Sequence, residues 1–380
     1  MHILIATNAF KHSLSAAEAA LAIRKGLMQS RLTGKITVFP VADGGDGTME
    51  ALLFHKGGEL QTVRSVNAQG HPVTASFGWM PGEKTAVVAL SAASGLSRLG
   101  AARLRPLQSD TRGTGRLIKA ALDRGARRIL IGVGGSATID GGAGIIRALG
   151  GKFRDRAGKM IRQLPEGLLQ LAQIDLEKLD RRLEKVELVV LCDVTTPLLG
   201  RGNCVKVFGP QKGAESGDIV LLEKALKRYS RVIRSCSGRD VSAMPFGGAA
   251  GGTAAGLNGL LGARLVNGID YFLEHTAFAA ALRQADLVIT GEGSLDTQTL
   301  SGKAPLGVAD RCHAAGLPVI ALAGAVPLAP PGVWQRHFDA FFPIGHAPEP
   351  LDQAIRHTRE NLARTACQLG NLIAQKTSLH

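Results

Sequence analysis

Ile129-Leu130-Ile131-Gly132-Val133-Gly134-Gly135-Ser136-Ala137-Thr138-Ile139-Asp140-Gly141-Gly142-Ala143-Gly144 is the stretch that decides the fold of this chain. Its apolar, largely β-branched beginning predicts a buried strand. Its second half is rich in glycine and carries the polar side chains of Ser136, Thr138 and Asp140. Glycine lets backbone N–H groups approach a ligand closely, so such a loop at the end of a strand suits an anion such as phosphate.

The two ends of the chain alternate buried strands with amphipathic helices. This alternation predicts a Rossmann-like, doubly wound parallel sheet. The predicted strands are Ile3–Ala6, Lys35–Pro40, Leu287–Thr290, Val319–Ala323 and Asp339–Ile344; the predicted helices run from Ser15 to about Ser30, from Thr48, over Pro305–Ala315 and over Leu351–Ala374.

The middle of the chain follows a different pattern. Glu59–Val66 and Val73–Trp79 alternate like antiparallel strands, whereas Glu187–Leu191 is a continuous buried strand. Helices are predicted over Gly113–Arg124, Leu168–Leu183 and Ile219–Ser235. We therefore expect a second α/β domain, residues 61–283, inserted into a Rossmann-like domain formed by residues 1–60 and 284–380.

Composition excludes several classes of protein. With 45% hydrophobic and 20% charged residues, the chain of 380 residues is globular rather than disordered. The net charge of +14 would suit nucleic acid, but aromatic residues make up only 4% and the basic residues are dispersed. We expect small acidic ligands and no nucleic-acid partner.

Cysteine usage and hydropathy indicate the compartment. The five cysteines form no C-x-x-C pair, which argues against a cysteine zinc site and a disulfide framework and favours a reducing compartment. No stretch approaches 18 apolar residues, and the N-terminus lacks a signal-peptide pattern. We therefore expect a cytoplasmic protein with no membrane partner.

Several loops follow the predicted strands directly and carry glycine with an acid, an amide or a lysine. Ligands of parallel sheets bind beyond the carboxyl ends of strands, so we expect these loops to line one cleft between the domains. The loops are residues 7–13, 42–48, 132–144, 192–197 and 290–296.

The acids in these loops suit phosphoryl transfer, which needs a carboxylate to accept a hydroxyl proton and further acids to hold Mg²⁺. Each acid has a structural alternative, a helix N-cap or an Asx-turn, and this alternative is strongest for Asp140 and Asp46. The acids are Asp43, Asp46, Asp140, Asp193, Glu292 and Asp296, and the lysines in comparable loops are Lys11, Lys212 and Lys303.

Other motifs fit poorly. Gly132-x-Gly134-x-x-Ala137 matches the dinucleotide fingerprint, but later glycines interrupt the helix that should hold the pyrophosphate. The spacing from Gly293 to Gly302-Lys303 is wrong for a P-loop. The sequence has no G-x-S-x-G nucleophile elbow and no H-E-x-x-H zinc motif.

Taken together, the loops resemble those of the type 1 glycerate kinase family (glycerate 2-kinase), over nearly the whole chain and in order. The stretches that carry the resemblance are Phe10-Lys11-x-Ser13-Leu14-Ser15-Ala16, Pro40–Thr48, Ser91–Leu96, Arg112–Gly115, Gly132–Thr138, Asp140–Gly144, Cys192–Thr195, Phe208–Ala214, Gly248–Gly252, Val288–Gly293 and Ser301–Ala309.

The resemblance implies an ATP- and Mg²⁺-dependent kinase that converts D-glycerate to 2-phosphoglycerate, with a Rossmann-like domain interrupted by a second α/β domain. Three alternatives stay open from the sequence: phosphorylation at the 3-position, a related hydroxy acid as substrate, and a catalytically weakened paralogue that only binds a hydroxy acid or a nucleotide. A homodimer is likewise left open.

Position and chemistry assign a role to each candidate residue. Asp193 is the predicted general base, and Lys11 and Lys212 neutralise phosphate or carboxylate. We expect Asp43 and Asp296 to help hold Mg²⁺. The predicted substrate- and phosphate-binding residues are Ser13, Gly44, Gly45, Gly134, Gly135, Ser136, Gly291, Gly293 and Lys303.

The chain departs from the family pattern within these loops, which bears on activity or substrate more than on fold. Thr7-Asn8-Ala9 stands where the family has Pro-Asp-Ser, so an amide replaces a carboxylate. Ile139 and Thr196 each stand in place of an asparagine, Ser294 in place of an arginine, and Ala89 near an expected glutamate.

Overall fold

The computed structural model describes residues 1–100, 104–296, 299, 302–328, 332 and 334–377. The chain folds into two compact units: unit 1 comprises Met1–Asp43 and Ile269–His380, and unit 2 comprises Gly44–Gly268. In the described ranges, no helix is both long enough and apolar enough to cross a membrane.

Unit 1 is built on a parallel sheet. Its strands are β1 (His2–Thr7), β2 (Lys35–Val38), β11 (Leu287–Ser294), β12 (Val319–Ala325) and β13 (Ala340–Pro343), in the order β13-β12-β11-β1-β2. Its helices are α1 (Ala16–Met28), α9 (Gly268–Glu274, whose first residue belongs to unit 2), α10 (Phe278–Leu282), α11 (Ala304–Ala314), α12 (Leu351–Arg356) and α13 (Thr358–Thr377).

The core of unit 1 follows from the spacing of its apolar residues. Ile3 and Ile5 alternate along β1 and pack with Ile23 and Leu27 of α1 and with Leu362 of α13. Ser15 and Glu18 form a capping box at the start of α1, in which each side chain accepts a hydrogen bond from the backbone N–H of the other residue. The chain direction of β1 and β11 brings the loops after both strands to the same sheet edge.

Unit 2 contains a mixed sheet in the order β10-β9-β6-β5-β4-β3, in which β4 pairs antiparallel with both β3 and β5, and β5, β6, β9 and β10 run parallel. The strands are β3 (Glu59–Val66), β4 (Pro72–Met80), β5 (Thr85–Ala89), β6 (Arg128–Gly132), β9 (Glu187–Cys192) and β10 (Arg264–Asn267), and β7 (Lys152–Arg154) and β8 (Gln173–Asp175) form a separate ribbon. The helices are α2 (Thr48–Lys56), α3 (Ser91–Ser94), α4 (Arg112–Asp123), α5 (Ala143–Ala148), α6 (Cys204–Phe208), α7 (Ser216–Ser237) and α8 (Ala249–Leu261).

These features confirm the predicted fold class, a Rossmann-like sheet domain interrupted by a second α/β domain. The seams between the two units fall earlier than residues 60 and 283. Helix α2 packs on β4 and β5 of unit 2, and the ring of Phe278 meets that of Phe39 edge-on, with centroids 5.4 Å apart, inside unit 1.

The predicted helix over Leu168–Leu183 is wrong. The segment forms short 3-10 turns at Glu166–Gln170 and Arg181–Lys185, with β8 between them. Ile174 pairs with Phe153 of β7, and the Asp175 carboxylate accepts the Glu177 N–H in an Asx-turn. Strand pairing with a distant segment therefore overrides the helical spacing of the buried residues.

Candidate functional site

The loop after β6 in unit 2 is held by backbone contacts. The N–H groups of Val133 and Gly134 donate to the Gly44 carbonyl over 2.9 and 3.2 Å. A Cβ on Gly134 would lie 2.4 Å from the Gly45 Cα, and one on Gly44, whose φ is +93°, would lie 2.3 Å from the Leu191 carbonyl oxygen. These glycines are needed for two loops to pack against each other.

Lys212 lies in a 3-10 turn, Pro210–Lys212, and its side chain is buried. Its Nζ donates to the Ser136 hydroxyl over 2.7 Å and to the Thr138 carbonyl over 2.9 Å. Burial lowers the pKa of Lys212 to about 8, against the opposing attraction of Asp140 and Asp193. The structure thus brings the predicted Lys212 and Ser136 into direct contact, whereas Gly135 beside them is exposed.

Asp140 holds the loop together with its carboxylate, including an Asx-turn in which it accepts the Gly142 N–H. Its carboxylate is fully buried and accepts hydrogen bonds from the Thr111 hydroxyl and from the backbone N–H groups of Thr111, Gly142 and Gly144, over 2.8 to 3.1 Å. Burial, reinforced by the Asp110 carboxylate, raises the pKa of Asp140, and the backbone donors oppose that rise. Asp140 therefore fixes the loop that presents its neighbours.

Asp193 directly follows β9 and is half-buried. Its charge acts on the Lys212 ammonium, which places both groups in one electrostatic environment at the carboxyl ends of β6 and β9. A half-buried carboxylate can accept a proton from a hydroxyl group that approaches it, whereas the Asp140 carboxylate is fully enclosed.

In unit 1, Asn8 and Asp43 meet after β1 and β2. The Asn8 Nδ2 donates to the Asp43 carboxylate over 3.1 Å, and the Asn8 Oδ1 accepts the Ala9 N–H over 2.8 Å. Both side chains are buried. The Asn8 amide donates a hydrogen bond that an ionised carboxylate at this position could not donate. Asn8, which departs from the family pattern, therefore has a hydrogen-bond partner in Asp43.

Sequence reasoning named Glu292 among the strand-end acids but gave it no role. Its buried carboxylate accepts from the Thr299 hydroxyl over 2.6 Å. Burial raises the pKa of Glu292 to about 7, with the charges of Asp43 and Asp296 adding to the rise and Lys303 opposing it. The signal that could have found Glu292 is its place near the end of β11, three residues after the apolar run Leu287–Ile289.

Asp296 and Lys303 form an ion pair in unit 1, with a carboxylate oxygen and the Nζ 3.9 Å apart. Lys303 is buried at the N-cap of α11, and Asp296 is half-buried. The Asp296 carboxylate also accepts the Thr299 N–H over 3.1 Å. Two of the predicted residues therefore lie close together, beside Glu292.

The remaining unit 1 candidates serve different purposes. The Ser13 hydroxyl donates to the Ile355 carbonyl over 2.7 Å, which ties the loop after β1 to α12. Lys11 is exposed, and a Cβ on Gly293 would lie 3.4 Å from its backbone nitrogen. Gly291 is a paired residue of β11, where a Cβ would lie 2.1 Å from the Leu322 carbonyl oxygen.

The other departures from the family pattern take varied positions. Ile139 is fully buried in the core of unit 2, so its side chain contributes to packing. Ala89 and Thr196 are half-buried, and Ser294 is exposed. The helix after the dinucleotide-like fingerprint, α5, begins only at Ala143, which agrees with the poor fit of a dinucleotide there.

Comparison with known proteins gives a consistent result. The model of the glycerate kinase family matches residues 3–374. The chain is 43% identical over 366 residues to a glycerate kinase of Bacillus subtilis, covering 96% of each chain, and 40% identical over 374 residues to a glycerate 2-kinase of Escherichia coli, covering 98% of each. A crystal structure assigned to glycerate kinase 2 of Salmonella typhimurium LT2 superposes with a TM-score of 0.84 at 40% identity, covering 100% of this chain and 99% of that one.

Proposed function

Since the chain belongs to the glycerate kinase family, we propose that it transfers the γ-phosphoryl group of ATP to the 2-hydroxyl of D-glycerate. The observation that carries the proposal is the unit 2 cluster of Lys212, Ser136 and Asp193. There a buried ammonium is held by a hydroxyl and a carbonyl and is influenced by a half-buried carboxylate.

The cluster in unit 2 has the groups that the acceptor side of the reaction requires. Asp193 takes the proton of the attacking hydroxyl while the oxygen bonds to the γ-phosphorus and ADP departs with the electron pair of the broken P–O bond. Lys212 supplies positive charge toward a carboxylate or phosphate, and Ser136 and Gly135 supply polar contacts. Within unit 1, the exposed Lys11 has the charge to neutralise a phosphate or carboxylate group.

The donor set of unit 1 fits Mg²⁺. Its carboxylates are hard oxygen ligands; burial is the main cause of the raised pKa of Glu292, and the negative charges of Asp43 and Asp296 add to it. Asp43 and Asp296 would hold the ion, with Glu292 beside them and Lys303 available to phosphate oxygens. Bound Mg²⁺ supplies charge neutralisation on the phosphate oxygens of the nucleotide.

The test is an ADP-release assay with MgATP and a panel of hydroxy acids, with the product identified by NMR. We expect turnover with D-glycerate and 2-phosphoglycerate as product. Asp193→Asn should lower kcat by roughly 10²–10⁴-fold, the usual contribution of a general base. Asp123→Asn, which changes an exposed carboxylate of the same unit, should retain activity.

Other outcomes have distinct meanings. Formation of 3-phosphoglycerate would show that the 3-hydroxyl is phosphorylated instead of the 2-hydroxyl. Turnover of another hydroxy acid in place of D-glycerate would show that the proposed substrate is wrong. Thermal stabilisation by glycerate or ATP without any ADP release would indicate a protein that only binds these ligands and would refute the kinase proposal.

A further inference from the structure

A second group of metal-ligating side chains lies outside all the residues assigned above. His346 follows β13, Glu349 precedes α12, and His357 is the C-cap residue of α12. One ligand atom from each of these three side chains lies within 4.8 Å of the other two. We call them the imidazole–carboxylate cluster; all three belong to unit 1.

Glu349 holds an unsatisfied acceptor. Its side chain is only 9% exposed, and its Oε1 is buried without a hydrogen-bond partner. The His346 Nδ1 lies 3.4 Å from Oε1, beyond the usual range of an N–H···O bond. Its Oε2 lies 2.8 Å from the His357 Nδ1. A buried oxygen of this kind gains from a cation that it can ligate.

The geometry is close to that of a bound transition metal. Zinc bonds of about 2.0–2.2 Å to nitrogen and oxygen place tetrahedral ligand atoms about 3.4 Å apart. The ligand atoms of the cluster all lie within 4.8 Å of one another, and the Glu349 oxygens lie 3.4 Å from the His346 Nδ1 and 2.8 Å from the His357 Nδ1. Pro348 and Pro350 flank Glu349 and restrict its backbone, which lowers the entropy lost when the carboxylate is fixed.

Accessibility and ligand type indicate which metal fits. The side chains of His346 and His357 are 43% and 49% exposed, so an ion and its waters can enter. Two imidazoles and one carboxylate suit Zn²⁺, whereas Mg²⁺ prefers oxygen ligands alone.

We propose that the imidazole–carboxylate cluster binds one Zn²⁺ through a ring nitrogen of His346, a ring nitrogen of His357 and the Glu349 carboxylate, with water completing the coordination. The ion joins the segment after β13 to the start of α13 and stabilises this part of unit 1. The site is separate from the Mg²⁺ ligands proposed for phosphoryl transfer and does not depend on that proposal.

The experiment titrates Zn²⁺ into full-length, EDTA-treated protein in competition with a chromophoric zinc chelator. We expect one tight equivalent per chain. The variant His346→Gln/His357→Gln should lose this equivalent or bind it at least 100-fold more weakly, and Glu349→Gln should weaken it at least tenfold. His71→Gln removes an exposed histidine of unit 2 and should bind like the wild type.

Substitution by Co²⁺ gives a second readout, since two imidazole ligands produce visible absorption that the double variant should lack. His346→Gln changes a side chain that is nearly half exposed, so it should keep the thermal unfolding temperature of the metal-free protein and still lose zinc affinity. Absence of a tight equivalent in the wild type, or unchanged affinity in the double variant, would show that the cluster is only an ion-pair network and would overturn the proposal.

Discussion

Lys212→Met tests whether burial lowers the pKa of Lys212 in unit 2 and thereby makes the stability of this unit depend on pH. The native pKa of about 8 lies below the usual 10.5, so between these values the unfolded chain holds a proton that the native chain has released. Stability rises with pH wherever the unfolded state binds more protons. The free energy of unfolding of the wild type should therefore rise with pH relative to that of the variant.

The magnitude follows from the two pKa values. Lowering a lysine pKa from 10.5 to about 8 is equivalent to about 3 kcal/mol, at about 1.36 kcal/mol per pH unit. Between pH 7 and pH 10.5, the free energy of unfolding of the wild type should therefore rise by about 3 kcal/mol relative to that of Lys212→Met. Methionine keeps the length and apolar stem of the side chain, and the titrations of other groups cancel in the difference.

The assay can follow each unit alone, because the chain has two tryptophans and each unit contains one. Trp334→Phe leaves Trp79, which is buried in unit 2, as its fluorescent reporter; Trp79→Phe leaves Trp334 to report on unit 1. Urea unfolding of the Trp79 reporter with and without Lys212→Met gives the required difference at each pH.

Lys206→Met is the matched control, since Lys206 is an exposed lysine in the neighbouring helix α6. It should show no such pH-dependent difference. If the difference between wild type and Lys212→Met stays constant within about 0.5 kcal/mol from pH 7 to pH 10.5, the Lys212 pKa is not depressed and the reasoning fails.

Three further predictions concern the loops of both units. Gly134→Ala should destabilise unit 2 by about 2 kcal/mol or more, because its Cβ would lie 2.4 Å from a backbone atom, whereas Gly217→Ala, with open space around its Cβ, should not; equal urea midpoints would contradict this. Asn8→Asp should place a second carboxylate against Asp43 and destabilise unit 1 by about 1–2 kcal/mol in the absence of Mg²⁺. Added Mg²⁺ should then raise the stability of the variant in urea unfolding. If the stability of the variant does not respond to Mg²⁺, the assignment of Asp43 as a magnesium ligand is wrong. Glu292→Gln tests the raised pKa of Glu292, about 7, because the native state then holds a proton between pH 4.5 and pH 7 that the unfolded chain has released. In urea unfolding of unit 1, the free energy of unfolding of the wild type should fall by about 3 kcal/mol relative to that of the variant from pH 4.5 to pH 8. A difference that does not change with pH would refute the raised pKa.

The strands and most helices could be predicted because their signals are local. The capping box at Ser15 and the buried runs of β1 and β9 specify their elements from neighbouring residues alone. Leu168–Leu183 could not be predicted, since its apolar spacing suits a helix and only pairing with β7 makes part of it a strand. The boundaries between the two units could not be placed from the sequence for a similar reason. The residues of α2 do not indicate on which of the two sheets the helix packs.

The sequence places glycines, acids and lysines at or after strand ends, but residues 290–294 of the predicted loop 290–296 belong to β11, and the individual roles of the candidate residues depend on contacts. The sequence favours a structural role more for Asp140, within a glycine-rich loop, than for Asp193, which directly follows a buried strand. The structure separates them by burial, since Asp140 is enclosed by four hydrogen-bond donors whereas Asp193 is half-buried. Glu292 was assigned no role because its pKa depends on burial and on charges from other loops.

The sequence by itself determined the fold class, the family resemblance and the strand-end positions of the candidate residues. Periodicity, caps and glycine placement act over a few residues, so they can be read along the chain. Only the tertiary structure decided that Lys212 donates to Ser136, that Asn8 donates to Asp43, and that a histidine from each side of α12 approaches Glu349. Hydrogen bonds, burial and the pKa values they set depend on distances between segments far apart in the chain, which only folding brings together.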